Sequence, residues 1–236
     1  MSNPYFQFKQ FTVWHDKCAM KVGTDGVLLG AWTLVESAHR ILDIGTGTGL
    51  VALMLAQRSL PDANIVALEI DEAAVGQARE NIIRSPWKER VEVVQADFKK
   101  YRSSDKFDVI VSNPPYFVDS LECPDRQRAA ARHNDSLTYE DLLEGVSGLL
   151  AEDGFFTMVI PADVAERVKK IAYMRKLYAV RQLNVITKPG GIPKRVLITF
   201  SFSNQECIVE ELLTELARHQ YSEEYMTLTR DYYLNM

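Results

Sequence analysis

The chain has 236 residues, of which 47% are apolar and 25% are charged, and its formal net charge is −5. These values exclude a disordered, collagen-like or coiled-coil chain. The three cysteines form no CxxC pair and the four histidines are scattered, so neither a disulfide framework nor a metal site is predicted. No apolar stretch approaches roughly 18 residues, and residues 1–20 lack the apolar core of a signal peptide. A cytoplasmic protein without a membrane partner is therefore expected.

Short apolar runs alternate with longer amphipathic segments from residue 41 onward. The predicted strands are 41–44, 65–68, 91–94, 107–111, 155–160, 183–186 and 196–202. The predicted helices are 50–58, 71–84, 137–150 and a segment that opens at Pro161. Such alternation predicts βαβ units, and the Pro/Gly-rich loop between the last two strands predicts a hairpin. The expected fold is α/β, with a seven-stranded, mostly parallel sheet, an antiparallel edge hairpin and helices on both faces.

The chain contains no linker rich in Pro, Gly or Ser that would divide it, so residues 1–236 are expected to form one domain. In the N-terminal segment, residues 1–39, an apolar helix is predicted with Thr24 or Asp25 as its N-cap. The C-terminal segment, residues 203–236, carries two basic and seven acidic residues and is expected to be helical.

A glycine-rich turn and two carboxylates follow the first three predicted strands. Gly45, Gly47 and Gly49 form a GxGxG turn, which lets the backbone bend tightly and approach a ligand closely. Glu69 ends the second strand, where its carboxylate can accept both hydroxyl groups of a ribose. Asp97 follows the third strand, where it can accept a hydrogen bond from an adenine amine. Together these features predict a site for a cofactor that contains adenosine.

The glycine turn is one residue shorter than the GxGxxG fingerprint of dinucleotide sites. With Asp43 on the preceding strand, it resembles the turn of class I S-adenosylmethionine-dependent methyltransferases. The resemblance implies a Rossmann-like class I methyltransferase fold, S-adenosyl-L-methionine as cofactor, and Asp43 near the amino-acid part of that cofactor. Phe98, beside Asp97, is a further expected contact. Asp71 precedes an amphipathic segment and is instead predicted to be a helix N-cap.

The fourth predicted strand ends in Ser112-Asn113-Pro114-Pro115-Tyr116-Phe117. The prolines fix the backbone, so the Asn113 side-chain oxygen and the Pro114 carbonyl can both accept hydrogen bonds from one planar amine. Tyr116 can stack on the ring that carries this amine. Acceptors in this position stabilise the charge that develops when the nitrogen takes up a methyl group. The predicted catalytic residues are Asn113, Pro114 and Tyr116, and Asn113 is also expected to contact the cofactor. The motif resembles that of methyltransferases acting on adenine or on a glutamine amide.

The N-terminal segment is more distinctive, with Phe6-Gln7-Phe8-Lys9-Gln10-Phe11 followed by CAMKVGTDGVLLGAW at 18–32. With the motif at Asn113, with Ala131-Arg132-His133 and with Pro193-Lys194-Arg195, it resembles the bacterial tRNA(Val) (adenine-37-N(6))-methyltransferase family. The resemblance implies methylation of the exocyclic amine of the adenosine 3′ to the anticodon, in the anticodon arm of a valine tRNA. It also implies that residues 1–39 cover the cofactor and the substrate, with Lys21 and Thr24 as cofactor contacts.

Cations are unevenly distributed along the chain. Residues 167–200 carry nine basic residues and no acidic one, whereas the rest of the chain is acidic. Given the resemblance, we expect this basic segment to follow the tRNA backbone. The residues expected to contact RNA are Phe117, Arg126, Arg128, Arg132, His133, Lys194 and Arg195.

Other functions fit parts of the sequence. Adenine in rRNA would suit the same chemistry, whereas a DNA adenine methyltransferase would need an added region to read a duplex. Glutamine N-methyltransferases share the Asn-Pro-Pro-Tyr sequence, but they would be expected to carry a helical domain before the cofactor motif, and here 42 residues precede Asp43. A non-catalytic RNA-binding protein would be expected to lack Asn113, Gly47 or Glu69, which are all present.

Overall fold

The computed structural model describes residues 3–18, 21–114, 137–218 and 220–235. The strands in these ranges are β1 (Tyr5–Gln7), β2 (Thr12–Trp14), β3 (Arg40–Ile44), β4 (Asn64–Glu69), β5 (Val91–Gln95), β6 (Phe107–Ser112), β7 (Leu150–Pro161), β8 (Tyr178–Ile186), β9 (Arg195–Ser201), β10 (Ile208–Leu213), β11 (Glu215–Ala217) and β12 (Gln220–Tyr221). The helices are α1 (Thr24–Trp32), α2 (Leu50–Arg58), α3 (Glu72–Ile83), α4 (Tyr139–Leu149), α5 (Ala165–Tyr173) and α6 (Glu223–Thr229).

Eight strands form the main sheet, in the order β10-β8-β9-β7-β6-β3-β4-β5. Strand β9 is antiparallel to β7 and β8, and every other neighbouring pair is parallel, so the predicted mostly parallel α/β fold is confirmed. The predicted number of seven strands is wrong. Ile208–Leu213 pairs in parallel with β8 and takes the edge position that was predicted for the β8–β9 hairpin.

Helices cover both faces of the sheet, as predicted, because successive residues of a strand point to opposite faces. In β3, Ile41 belongs to a core cluster with α1, α2 and α3, whereas Leu42 and Ile44 belong to a second cluster with α4 and α5. Helix α2 begins and ends where the sequence predicts, and its residues Leu50 to Ala56 are all buried. Because the neighbouring strands β6, β3, β4 and β5 are parallel, their carboxyl ends share one edge of the sheet.

The N-terminal and C-terminal segments pack against each other. The ring centroids of Phe6 and Phe8 each lie 5.8 Å from that of Tyr233, and the Lys9 N–H donates to the Tyr232 carbonyl at 2.8 Å. The prediction that the C-terminal segment is helical is wrong, since it forms β10, the β11–β12 hairpin and the short α6. Strand β10 forms because β8 offers backbone hydrogen-bond partners that the local sequence does not reveal.

Two predicted helix starts differ from the structure. Helix α1 has Gly23 as its N-cap, and neither Thr24 nor Asp25 caps it with a side-chain hydrogen bond. Pro161 ends β7 and is followed by a 3-10 turn at 162–164, so α5 begins at Ala165. Within the described ranges, no helix is long and apolar enough to cross a membrane.

Candidate active site

The carboxyl ends of four neighbouring strands, β6, β3, β4 and β5, form one edge of the main sheet. Ile44 pairs with Ser112 on one side and with Leu68 on the other, and Glu69 pairs with Gln95. Groups at these strand ends are therefore neighbours, since adjacent strands are ~4.8 Å apart. In order along this edge, they are Asn113, the turn Gly45–Gly49, Glu69 and Asp97.

The turn between β3 and α2 leaves open space above its backbone. Gly45, Gly47 and Gly49 have φ angles of 71°, 57° and 81°, which residues with a side chain rarely adopt. A Cβ atom built on Gly45 or Gly47 would meet no atom within 4 Å. The N–H groups of Gly45 and Thr46 both donate to the Leu68 carbonyl at 2.9 Å, which fixes the turn on β4. A ligand can therefore approach the backbone of this turn closely.

Main-chain N–H groups fix the carboxylate of Glu69. Its Oε2 accepts the Gly47 N–H at 2.9 Å, and its Oε1 accepts those of Ile70 and Asp71 at 2.9 and 3.0 Å. A carboxylate oxygen can accept two hydrogen bonds, so Oε2 retains capacity for a ligand. Asp71 is the N-cap of α3, as predicted, because its own carboxylate accepts the Ala74 N–H at 2.8 Å.

Asp43 is a buried carboxylate beneath the glycine turn, with only 2% of its surface exposed. Its Oδ2 accepts the Thr46 hydroxyl at 2.6 Å and the Ala52 N–H at 3.2 Å. Burial raises the pKa of Asp43 to about 7 against the opposing effect of these two hydrogen bonds, and the negative charge of Glu69 adds to the rise. A cationic group above the turn would favour the ionised form of Asp43.

Asp97 lies just beyond β5 and keeps 20% of its side chain exposed. Its Oδ1 accepts the Lys99 N–H at 3.0 Å, and the Lys100 ammonium lies 3.6 Å from Oδ2. The carboxylate is thus held in place but reachable from the edge. The ring of Phe98, in contrast, is buried in the second core cluster against Gly145 of α4, so the structure places this side chain in the core.

Asn113 and Pro114 follow β6 beside the glycine turn. The hydroxyl of the preceding Ser112 donates to the Ile44 carbonyl at 3.0 Å, which ties the ends of β6 and β3 together. Asn113 is half-buried, and its side-chain amide makes no hydrogen bond to any described residue. Gly26 of α1 faces it, because a Cβ atom built on Gly26 would lie 4.0 Å from Nδ2 of Asn113. The amide of Asn113 is therefore available to a ligand at the edge.

Most predicted RNA contacts and one predicted catalytic residue lie outside the described residues. These residues are Tyr116, Phe117, Arg126, Arg128, Arg132 and His133. In the part of the chain that is described, no group of three or more His, Cys, Asp or Glu side chains could hold a metal ion.

Lys194 and Arg195 lie at the edge that carries the glycine turn, because β9 begins where its antiparallel neighbour β7 ends. The Nε of Arg195 lies 3.1 Å from Oδ2 of Asp25, which joins the start of β9 to α1. Lys194 is exposed. Thr24 is exposed in the first turn of α1, and Lys21 is exposed just before it.

Several of the other cations of residues 167–200 form ion pairs with carboxylates. Arg175 pairs with Glu144 at 3.0 Å, and Arg181 pairs with Glu210 at 3.3 Å. Both carboxylates come from elements outside the basic segment. The positive charge of this stretch of sequence is therefore partly neutralised in the folded protein.

Two buried amides on α3 were not predicted from the sequence. Asn81 is 1% exposed, and its Nδ2 donates to the carbonyls of Thr48 at 2.8 Å and Trp14 at 2.9 Å. Gln77 is fully buried, and its Oε1 accepts the Lys17 N–H at 3.1 Å. Both amides hold the N-terminal segment against α3, and Asn81 also joins it to the glycine turn. The sequence indicates the burial of these two amides only through their position on the apolar stripe of α3.

The fold and the set of groups along the edge define a methyltransferase domain. Residues 22–176 match the family model described as the methyltransferase small domain. A predicted O-methyltransferase from Agrobacterium tumefaciens is similar in structure, with a TM-score of 0.69 and 19% identity over 90% of this chain and 100% of that chain. A ribosomal protein L11 methylase from Lactobacillus delbrueckii subsp. bulgaricus has a TM-score of 0.57 and 15% identity, over 80% and 83% of the two chains. These likenesses establish the fold.

Relatives in sequence define the family within this class. A tRNA1(Val) (adenine(37)-N6)-methyltransferase from Bacteroides thetaiotaomicron is 78% identical over 100% of both chains. One from Yersinia enterocolitica is 44% identical over 98% of this chain and 92% of the relative. The chain belongs to the family of tRNA1(Val) (adenine(37)-N6)-methyltransferases, which confirms the family predicted from the N-terminal segment and the Asn113 motif.

Proposed function

We propose that this protein transfers a methyl group from S-adenosyl-L-methionine to N6 of adenosine 37 in a valine tRNA. The main support for the proposal is the position of Asn113 beside the open glycine turn at the edge of the sheet, with Glu69 on the next strand. The names of the relatives support the choice of substrate, because they specify this position of this tRNA.

The residues along the edge fit S-adenosylmethionine. Glu69 keeps acceptor capacity on Oε2 for ribose hydroxyls, and Asp97 has a partly exposed carboxylate for an adenine amine. The open space above Gly45 and Gly47 admits a ligand close to the backbone. The cationic amino-acid part of the cofactor, placed above the turn, would favour the charged form of Asp43. Without a cation there, burial raises the pKa of Asp43 to about 7. When bound, this cofactor supplies a methyl group on a positively charged sulfur.

Asn113 and Pro114 orient and activate the amine that accepts the methyl group. The exocyclic amine of adenine is a poor nucleophile because its lone pair is delocalised into the ring. The Asn113 Oδ1 and the Pro114 carbonyl would accept its two N–H groups and stabilise the positive charge that develops on nitrogen. N6 would take up the methyl group that the cofactor supplies in exchange for its bond to sulfur, and N6 would release one proton to water. Tyr116, outside the described residues, is the proposed stacking partner of the adenine.

Adenosine 37 suits this site because it lies in a single-stranded loop. A base that is unpaired can be turned into a pocket at little cost, so the enzyme need not open a duplex. Since tRNA is modified in the cytoplasm of bacteria, we expect the protein to act there.

Methyl transfer to unmodified tRNA transcripts tests the proposal. With labelled S-adenosylmethionine, the protein should label a valine tRNA, and nucleoside mass spectrometry should identify N6-methyladenosine. Replacement of adenosine 37 by guanosine should abolish the labelling. Labelling that survives this replacement would overturn the assigned position. Labelling of rRNA or of a protein glutamine, with none in tRNA, would overturn the assigned substrate.

A further inference from the structure

A groove of about 720 Å³ opens at the same edge of the sheet as the candidate active site. Strand β1 and the first turn of α1 form one side of it, and the ends of β8 and β9 with the C-terminal residues form the other. We name it the tyrosine groove. Its lining includes Tyr221, Tyr225, Tyr233, Lys194, Asp25 and Glu215. The methyl transfer proposed above does not by itself need this groove.

Consecutive residues at the start of α1 connect the tyrosine groove to Asn113. Thr24 and Asp25 line the groove, whereas the next residue, Gly26, faces Asn113, with its built Cβ atom 4.0 Å from Nδ2 of that residue. Consecutive Cα atoms are only ~3.8 Å apart. A strand of RNA that presents one base to Asn113 therefore has its neighbouring nucleotide within reach of the groove.

The tyrosine rings form a wall that is already packed in place. Tyr221 is 37% exposed, and its ring centroid lies 5.2 Å from that of Tyr225, with the ring planes at 31°. The hydroxyl groups of Tyr225 and Tyr233 are 3.4 Å apart, and Tyr233 in turn packs on Phe6. Neighbouring rings thus support Tyr221 while much of its surface stays open. An exposed aromatic ring held in this way is suited to stacking against an unpaired base.

The charges of the groove favour a phosphate at one place in it. Lys194 is exposed and forms no ion pair with a described residue. Arg195 is engaged by Asp25 at 3.1 Å, so this pair contributes little net charge. Glu215 also lines the groove and would repel a phosphate from its own side. A phosphate group is therefore expected beside Lys194.

We infer that the tyrosine groove binds a nucleotide next to the target adenosine, with its base stacked on Tyr221 and its phosphate at Lys194. The inference rests on the proposed function and adds a second contact to it. When adenosine 37 leaves the stack of the anticodon loop, its neighbours lose a stacking partner. An aromatic ring with a nearby ammonium group replaces that partner and fixes the position of the strand. The groove would thereby help to select the RNA without contacting the reacting amine.

RNA binding by groove variants of the full chain tests the inference. The probe is a fluorescein-labelled anticodon stem-loop of the valine tRNA, titrated at several salt concentrations. Tyr221→Ala should weaken its binding by about tenfold or more, whereas Tyr221→Phe, which keeps the ring, should bind like the wild type. Lys194→Gln should lower the slope of log K against log salt concentration by about 0.7–0.9. The affinity for S-adenosylmethionine should be unchanged in all three variants.

Tyr173→Ala and Lys88→Gln are the matched controls. Both residues are exposed and lie at the opposite edge of the sheet, Tyr173 near the start of β8 and Lys88 before the start of β5, so their replacement should leave RNA binding unchanged. If the wild type methylates the valine tRNA but Tyr221→Ala and Lys194→Gln bind the stem-loop like the wild type, the groove inference alone is overturned. Equal losses in the groove and control variants would overturn it too. If the wild type methylates no tRNA, the proposed function fails and the groove inference fails with it.

Discussion

The side chain of Asn81 forms hydrogen bonds with both main-chain groups of Trp14, each at 2.9 Å. The same amide donates to the carbonyl of Thr48 at 2.8 Å. Thr48 belongs to the glycine turn, whereas Trp14 ends β2 in the N-terminal segment. One buried side chain therefore connects the part of the sequence that identifies the family to the part that is proposed to bind the cofactor.

Replacement of Asn81 by alanine should destabilise the protein. The change removes the partner of the buried Thr48 carbonyl and of both partly buried Trp14 groups, so the free energy of unfolding should fall by about 2–4 kcal/mol. Urea denaturation measures this change. Asn64→Ala is the control, because Asn64 is exposed at the start of β4 and its side chain donates to the Asp62 carbonyl. Its effect should stay within about 0.5 kcal/mol. Equal losses for both variants would contradict the role given to Asn81.

Glu69→Ala should weaken the binding of S-adenosylmethionine. Loss of the charged acceptor for the ribose should cost about 1–3 kcal/mol of binding free energy, which calorimetric titration can measure. The matched control is Glu92→Ala, since Glu92 is exposed on the neighbouring strand β5, before its carboxyl end. An unchanged affinity of the Glu69 variant would show that this carboxylate does not contact the cofactor.

Asp43 should make the stability of the ligand-free protein depend on pH. Its pKa is 3.8 when exposed and about 7 when folded, so between these values the folded protein holds more protons than the unfolded chain. The free energy of unfolding should therefore fall as the pH rises through this window, by up to about 4 kcal/mol from this group.

The variant Asp43→Asn tests this pH dependence. The amide oxygen can still accept from Thr46 and Ala52, which both donate to one carboxylate oxygen in the wild type. Because asparagine does not ionise, the variant should gain stability relative to the wild type as the pH rises from 5 to 8. Below the pKa of Asp43 in the folded protein, this gain should be ~1.4 kcal/mol per pH unit. Urea denaturation at several pH values would contradict this account if the two proteins changed in parallel.

Two glycines on helices should respond in opposite ways to substitution by alanine. A Cβ atom on Gly30 of α1 would lie 2.7 Å from Cβ of Met54 on α2, whereas one on Gly76 of α3 would meet no atom within 4 Å. Gly30→Ala should therefore lower the free energy of unfolding by about 1–3 kcal/mol through overpacking. Gly76→Ala should raise it by about 0.5–1 kcal/mol through its higher helix propensity. If thermal or urea denaturation showed that both substitutions change the free energy of unfolding in the same direction, this would contradict the close packing of α1 on α2.

The regular part of the fold could be predicted from the sequence because its signals are local. Helix α2 and the strand ends that carry Glu69 and Asn113 are fixed by apolar runs and by the turns that follow them. Strand β10 could not be predicted, since Ile208–Leu213 has two acidic residues between apolar pairs, a spacing that also suits a helix face. Its conformation depends on pairing with β8, which is a long-range contact.

The features that the sequence does not reveal depend on residues far apart in the chain. In the sequence, nothing distinguishes Asn81 from other polar residues, because only the fold places Thr48 and Trp14 beside it. The pairing of Arg181 with Glu210 is not visible in the sequence for a similar reason, because these residues lie on different strands. The tyrosine groove likewise joins residues from both termini, which no local pattern connects.

Asn113, at the end of β6, is proposed to activate the amine of adenosine 37. The most direct test compares the wild type and Asn113→Ala for two quantities, the rate of N6-methyladenosine formation in the valine tRNA and the affinity for S-adenosylmethionine. We predict that the variant loses at least about a hundredfold in turnover, as expected when a group that stabilises the transition state is removed. Its affinity for the cofactor should be largely unchanged. Retained turnover, or equal losses in turnover and cofactor affinity, would contradict this role of Asn113.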